Sequence, residues 1–249
     1  MGLDPYSARE FFQLAALRHL SGRLSGRAWA LKGGVCLRLF HGSARLSEDM
    51  DLDVDPGVRR ATLEKGVDAV LGSAALRADL VRGGLTVSRV SKPKQTETTQ
   101  RWKVELTLAG EPVQTKVEFS RRGKVSASDS GVPAPTLLDR YGVTQFAARY
   151  YGAAEMARQK TSALAAEGRN AVRDLYDLDL LLSRQPAKAV PGDRAVAEAA
   201  AAKAESFSWR DFQGQVLPYL EGEVRRTYGP EAFAALKSSV SRALRGARE

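Results

Sequence analysis

Apolar positions recur at helical spacing near the start of the chain, where Phe11, Leu14, Leu17 and Leu20 form a stripe flanked by Phe12 and Leu24. Asp4-Pro5 opens this helix, with Ser7 to Glu10 as an expected capping box. Trp29 to Leu31 predicts a short strand, Val35 to Phe40 a helix closed by Gly42, and Met50 to Val54 a strand stopped by Pro56. Arg60 to Leu71 predicts a helix. The texture then changes: Leu85 to Val90, Arg101 to Leu108 and Pro112 to Phe119 alternate apolar and polar residues, as half-buried antiparallel strands do. From Leu137 strand signals fade, and helices are expected over Val143–Leu164, Val172–Leu182, Arg194–Glu205, Trp209–Tyr228 and Pro230–Leu244. Gln185 to Asp193 is a polar, proline-bearing connection. The expected plan is an α/β domain over residues 1–133 and a helical domain over 134–249.

Composition narrows the class. At 249 residues, 43% hydrophobic and 27% charged, the chain fits an ordinary globular protein of one or two domains. It has no run of about 18 apolar residues, so no membrane span is expected. The N-terminal MGLDPYSAREFF carries acids and no apolar core of signal-peptide length. Cys36 is the sole cysteine, which excludes an internal disulfide and a zinc cluster. A cytoplasmic location follows as the expectation. His19 and His41 are the two histidines, too far apart in sequence to suggest a triad. The net charge of +9 and pI near 9.8 point to a polyanionic partner, nucleic acid being the commonest.

Leu31 to Val54 carries the densest candidate chemistry. Gly33 and Gly34 stand between a strand and a helix, where glycine lets backbone N–H groups approach a phosphate at a helix N-terminus. Asp49, Asp51 and Asp53 then alternate with Met50, Leu52 and Val54, so the carboxylates share one strand face. Spaced about 6–7 Å apart, they suit an oxygen-ligand site for Mg²⁺ carrying nucleotide phosphates. Three like charges on one face need a cation, and Lys32 or Arg45 offers an ordinary alternative to metal.

Two further clusters follow. In Lys116-Val117-Glu118-Phe119, Glu118 is a candidate third metal carboxylate or base, or else a salt-bridge partner of Arg121 or Arg122. Lys160 and Asp174 would stand about 21 Å apart on one straight helix. Glu167-Gly168-Arg169 offers a turn that would bring a second helix back. A lysine so placed can hold triphosphate oxygens, with Asp174 orienting it. In that role it would be replaceable without loss of the fold. Arg173 and Asp177 are spaced as an ordinary i,i+4 ion pair.

LKGGVCLRLF, RLSEDMDLDV, KVEFS, ARQKTSALAAEGR and VRDLYDL, in that order, resemble the AbiEii/AbiGii toxin family, which includes the MenT-like toxins. The resemblance spans Trp29 to Leu182. It implies an α+β fold: a minimal DNA polymerase β-type nucleotidyltransferase domain with a mixed or antiparallel sheet, then a C-terminal helical domain. Carried over, it puts Gly33 and Gly34 at the triphosphate and Ser47 in the family's serine-x-aspartate position. Asp49 and Asp51 match the metal-binding pair, with Asp53 outside the pattern. Lys160 matches the third-motif lysine and Asp174 the aspartate of its Arg-Asp pair. Glu118 falls in a loose motif, and Gln159 departs from the acid that many members carry before the lysine.

The resemblance further implies an NTP-dependent enzyme of the EC 2.7.7 type using Mg²⁺ or Mn²⁺, acting as a toxin restrained by a cognate antitoxin. Some members add nucleotides to the 3′ end of tRNA; others have been described as binding GTP. The expected partners are therefore a nucleoside triphosphate, tRNA or another RNA acceptor, and the antitoxin, with no membrane. Three rivals stay open: an inactive RNA- or partner-binding module, a metal-dependent nuclease, and a transferase acting on a protein or small-molecule hydroxyl.

Overall fold

In the computed structural model, which describes residues 2–125, 127–184 and 193–246, the first helix α1 (Pro5–Arg23) is capped by Asp4. Its carboxylate accepts from the Tyr6 and Ser7 amides at 2.8 and 3.0 Å. The expected Ser7–Glu10 box does not form, because Glu10 turns inward to the Arg38 guanidinium at 2.5 Å and the Tyr141 hydroxyl at 2.6 Å. Burial of that carboxylate beside an arginine outweighs what a surface cap would contribute.

The chain divides into two compact units, Met1–Gly42 with Leu46–Tyr151, and Ser43–Arg45 with Gly152–Glu249. The first carries β1 (Trp29–Lys32), α2 (Gly33–Phe40), β2 (Asp49–Val54), α3 (Arg60–Leu71), α4 (Ala74–Arg82), β3 (Leu85–Gln95), β4 (Thr99–Leu108), β5 (Glu111–Ser120), β6 (Ser128–Gly131), α5 (Pro135–Tyr141) and β7 (Ala148–Tyr151). Among the described residues the strands form one seven-stranded mixed sheet in the order β3-β4-β5-β2-β1-β7-β6. β2 runs antiparallel to β1 and parallel to β5, so it lies inside the sheet. Its alternation is realised: Met50, Leu52 and Val54 are buried while Asp49, Asp51 and Asp53 occupy the opposite face. Trp102, Val104, Val117 and Phe119 continue the apolar face on β4 and β5. Helix α1 packs against α3, α4 and β5, and α2 packs on β1 and β2. The fold class is the α+β one that the motifs imply.

Two expectations about elements change. The single helix over Val143–Leu164 is replaced by strand β7 and helix α6 (Ala153–Ala165). β7 pairs parallel with β1, and its Tyr150 ring stacks on Phe40 with centroids 4.0 Å apart, so tertiary pairing overrides local helix preference. Residues 134–151 consequently group with the first unit, whereas the 133/134 division placed them with the helices. Trp209–Tyr228 is likewise not one helix. Pro218 sits in a 3₁₀ turn, Leu217–Tyr219, which separates α9 (Trp209–Gln215) from α10 (Gly222–Thr227).

The second unit is helical. α6 is followed by α7 (Val172–Arg184), α8 (Arg194–Ser206), α9, α10 and α11 (Pro230–Leu244). The connection expected from Gln185 lies, over 185–192, outside the described residues. Helix α8 packs against α6 and α11 through Ala197, Ala200, Ala201 and Ala204, all buried, where small side chains permit close approach. Tyr176, Trp209, Phe212, Tyr228 and Phe233 form an aromatic cluster around Phe212. No described helix is long and apolar enough to cross a membrane.

Candidate active site

Gly33 sits at the mouth of α2 with φ +70°, a conformation that favours glycine. A Cβ on it would lie 3.1 Å from Asp51 Oδ2. The start of α2 and the Asp51 carboxylate therefore converge on one point. Lys32 precedes α2 and has no acceptor with which to cap it, so the N–H groups of the first turn have no side-chain partner from the N-cap. Gly34, in that first turn, is buried.

The register of the sheet arranges the charges. Asp49 lies opposite Lys116, and Asp51 opposite Glu118, on adjacent parallel strands. Lys116 Nζ pairs with Asp49 Oδ2 at 2.8 Å, and Arg101 Nε with Glu118 Oε2 at 2.5 Å. Asp53 is taken up by Lys32 at 2.5 Å and by the Tyr151 hydroxyl at 3.0 Å. Asp51 stands apart: burial raises its pKa above the ordinary carboxylate value, and repulsion from Asp49 and Glu118 adds to this, with Lys32 and Lys116 opposing. Among the described residues no salt bridge joins Asp51 to a cation, and the two lysines do not offset its burial.

The donor set fits a hard divalent ion. Asp49 and Asp51 present oxygen ligands on one strand face, and Mg²⁺ is usually held by one or two carboxylates together with substrate phosphates. Among the described residues no group of three or more His, Cys, Asp or Glu side chains is arranged as a metal cage. Glu118, the candidate third ligand, forms a cross-strand salt bridge, with Arg101 and not with Arg121 or Arg122. Arg121 bonds the Pro56 and Val58 carbonyls. Ser47 donates its hydroxyl to the Asp49 carbonyl at 3.2 Å and accepts from Gln13 at its own carbonyl at 2.9 Å. Thr115 fastens the Glu48 carbonyl at 2.6 Å. The loop entering β2 is thereby fixed.

In the second unit Gly168, at φ +69°, turns the chain between α6 and α7. Lys160 Nζ comes within 2.8 Å of Asp174 Oδ1 and 2.5 Å of Asp177 Oδ2. Arg169 reaches Asp174 at 2.8 Å, and Arg45 clasps Asp177 at 3.0 and 2.8 Å. Burial pushes Lys160 down, but Asp177 and Asp174 outweigh it and hold the ammonium above its ordinary value. Both aspartates lie below the usual carboxylate range, since Arg45 and Lys160 at Asp177, and Lys160 and Arg169 at Asp174, overcome the cost of burial. Lys160 is thus a nearly enclosed link between two carboxylates. The surface pair expected of Arg173 and Asp177 does not describe Asp177, whose side chain is fully buried.

A family model described as nucleotidyl transferase AbiEii toxin, type IV toxin–antitoxin system, matches residues 15–243. The chain belongs to the AbiEii nucleotidyl transferase toxin family. Two solved structures share this AbiEii chain's fold. JHP933 from Helicobacter pylori matches with TM-score 0.65 and 18% identity, over 99% of this chain and 94% of that one. A putative nucleotidyltransferase from H. pylori matches with TM-score 0.63 and 18% identity, over 96% and 93%. No curated protein matches the chain.

Three residues of this AbiEii chain escaped sequence reasoning as site components: Lys116 as the partner of Asp49, and Arg45 and Asp177 in the buried cluster. Lys116 shares a strand face with Glu118, a signal that was visible. Its pairing with Asp49 depends on β2 meeting β5, across a long stretch of intervening chain, and no local pattern encodes that.

Proposed function

We propose that this AbiEii protein transfers a nucleotide from a nucleoside triphosphate to an RNA hydroxyl, the 3′ end of tRNA being the favoured acceptor. The observation that carries this reading is the convergence of Gly33, at the N-terminus of α2, on the Asp51 carboxylate. A helix N-terminus stabilises phosphate, and a carboxylate pair recruits the cation that phosphate brings. Asp49 and Asp51 would hold Mg²⁺ or Mn²⁺, which would supply charge neutralisation of the triphosphate and a lowered pKa for an attacking hydroxyl. The amides at Gly33 and Gly34 bind the phosphates, and Ser47 keeps Asp49 in place through its carbonyl. Lys116 offsets the charge of Asp49 in the metal-free protein. The net charge of +9 supports an RNA acceptor.

For Lys160 and Asp174 the enclosed ion cluster supports a positioning role within the helical unit. The two carboxylates around Lys160 already satisfy the charge that a phosphate would otherwise meet. The toxin–antitoxin membership supports a cognate antitoxin that restrains the enzyme.

The test is transfer itself. Purified protein, Mg²⁺ and total tRNA are incubated with each α-labelled nucleoside triphosphate in turn, beside an Asp49→Ala control. Label entering tRNA with the intact protein alone supports the reading and names the nucleotide. Absence of label with all four, from folded protein, removes tRNA as the acceptor.

A further inference from the structure

The face of the sheet that carries Asp49 and Asp51 does not end at β5. Pairing of β5 with β4 sets Lys116 opposite Lys103 and Glu118 opposite Arg101. Pairing of β4 with β3 sets Lys103 opposite Ser91, Arg101 opposite Lys94 and Glu105 opposite Arg89. Residues directly opposite one another share a face. Arg89, Lys94, Arg101, Lys103 and Lys116 therefore stand together on the aspartate face.

Two acids of this strip are ion-paired and a third accepts from a neutral hydroxyl. Glu118 is held by Arg101, Asp49 by Lys116, and Glu105 accepts from the Ser88 hydroxyl at 3.2 Å. Among the described residues no ion pair joins Arg89, Lys94 or Lys103 to a carboxylate, and Arg89 and Lys103 are exposed. Lysines 103 and 116 face each other directly; Asp49 offsets the charge of Lys116, and Lys103 is left to attract a further anion. Arg9, Arg89, Lys103 and Lys116, with the acids Glu48, Asp49 and Glu105, line a common cleft of about 580 Å³.

We infer that this strip is the track for the phosphates of the RNA acceptor as they lead away from the hydroxyl at Asp49 and Asp51. The inference rests on the proposed transfer reaction, because an acceptor whose hydroxyl reaches the carboxylates must lay its preceding phosphates close by. From Lys116 to β3 the strip spans about 10 Å, room for two or three phosphates at about 3.4 Å rise per nucleotide in a stacked strand. These contacts are to phosphate and read no base, so the strip sets affinity and direction and leaves sequence choice to other groups.

The test is the triple variant Arg89→Gln, Lys94→Gln, Lys103→Gln, which leaves the Lys116–Asp49 ion pair in place. A charge-keeping control carries Arg89→Lys, Lys94→Arg and Lys103→Arg. Binding of 5′-labelled tRNA is measured from 50 to 300 mM KCl, together with KM and kcat for transfer. The triple variant should lose 10- to 100-fold in tRNA affinity at low salt. Its log–log salt slope should become shallower by about 2, at about 0.7 for each cation removed. KM for RNA should rise while kcat at saturating RNA and KM for the nucleotide stay unchanged, and the control should bind as the parent does. A parent-like tRNA slope and KM in the neutral variant overturn the track. So does selective loss of binding to poly-glutamate with tRNA binding intact, which would assign the strip to an acidic protein. If the parent binds tRNA through the strip but transfers no label, the transfer reading fails and the strip stands as an RNA-binding surface; if label is transferred with unaltered KM, only the strip fails.

Discussion

Replacing Asp177 should unfold the helical unit far more readily than its place on an exposed-looking helical sequence suggests. Its carboxylate is fully buried, accepts two hydrogen bonds from Arg45, and pairs with Lys160 at 2.5 Å. Asp177→Asn leaves both cations in place. Asp174 then has to serve Lys160 and Arg169, while Arg45 loses the carboxylate that its guanidinium clasps. Breaking one partner of a buried pair costs about 3–5 kcal/mol, because the remaining charge stays desolvated. For a chain of this size that is a fall of roughly 6–20 °C in melting temperature, at 2–4 °C per kcal/mol.

Urea denaturation followed by far-UV circular dichroism measures it, with Arg173→Ala as the comparison, expected within about 0.5 kcal/mol of the parent. The pH dependence supplies an independent sign. The native pKa values of Asp174 and Asp177 are depressed, so their stabilisation is present above the unfolded value of 3.8 and lost as pH falls through the native values. Lys160 is raised, so its share is present below 10.5 and lost only as pH climbs through its native value. Asp177→Asn should therefore flatten the acid limb of the stability curve. A loss below about 1 kcal/mol with an unchanged acid limb would refute a buried, mutually compensated cluster.

Three more outcomes follow from the same geometry. Lys160→Ala should cost roughly 2–3 kcal/mol in urea denaturation, less than an orphaned pair, since Asp174 keeps Arg169 and Asp177 keeps Arg45; an unchanged melting temperature with lost transfer would return this lysine to the phosphates. Gly33→Ala forces a side chain into positive φ, costing roughly 1–2 kcal/mol, and sets a methyl 3.1 Å from Asp51 Oδ2. It should raise KM for the nucleotide by at least tenfold, and unaltered nucleotide affinity would move the triphosphate elsewhere. Asp51→Asn should stabilise the metal-free protein by roughly 0.5–2 kcal/mol at neutral pH. Because the native pKa of Asp51 is raised, its ionisation costs stability as pH rises through that value, so the gain should vanish in acid.

Much of the frame was legible wherever the pattern was local. Alternation in DMDLDV places three aspartates opposite three buried apolar groups, and α3 and α11 run over the residues expected from their stripes. Gly168 as a turn point was visible because a straight helix would separate Lys160 from Asp174. What escaped depends on pairing between distant segments. FAARYYGAAEM carries helix-compatible residues, and only pairing with β6 on one side and β1 on the other makes Ala148–Tyr151 a strand. Likewise Asp177 looked like a surface ion-pair member because Arg173 is four residues away, while its partners are Arg45 and Lys160. The short helix α4 hides in AALRADLVR, whose apolar stripe is too brief to stand out.

The central claim is that Asp49 and Asp51 form the site where a nucleotide changes hands. It is tested most directly by measuring Mg²⁺-dependent transfer of α-labelled nucleotide to tRNA and melting temperature on the same Asp51→Asn preparation. The account predicts a rate lowered by on the order of 10³-fold or more, in a protein that melts at or above the parent temperature. Transfer at the parental rate from the well-folded variant would contradict it.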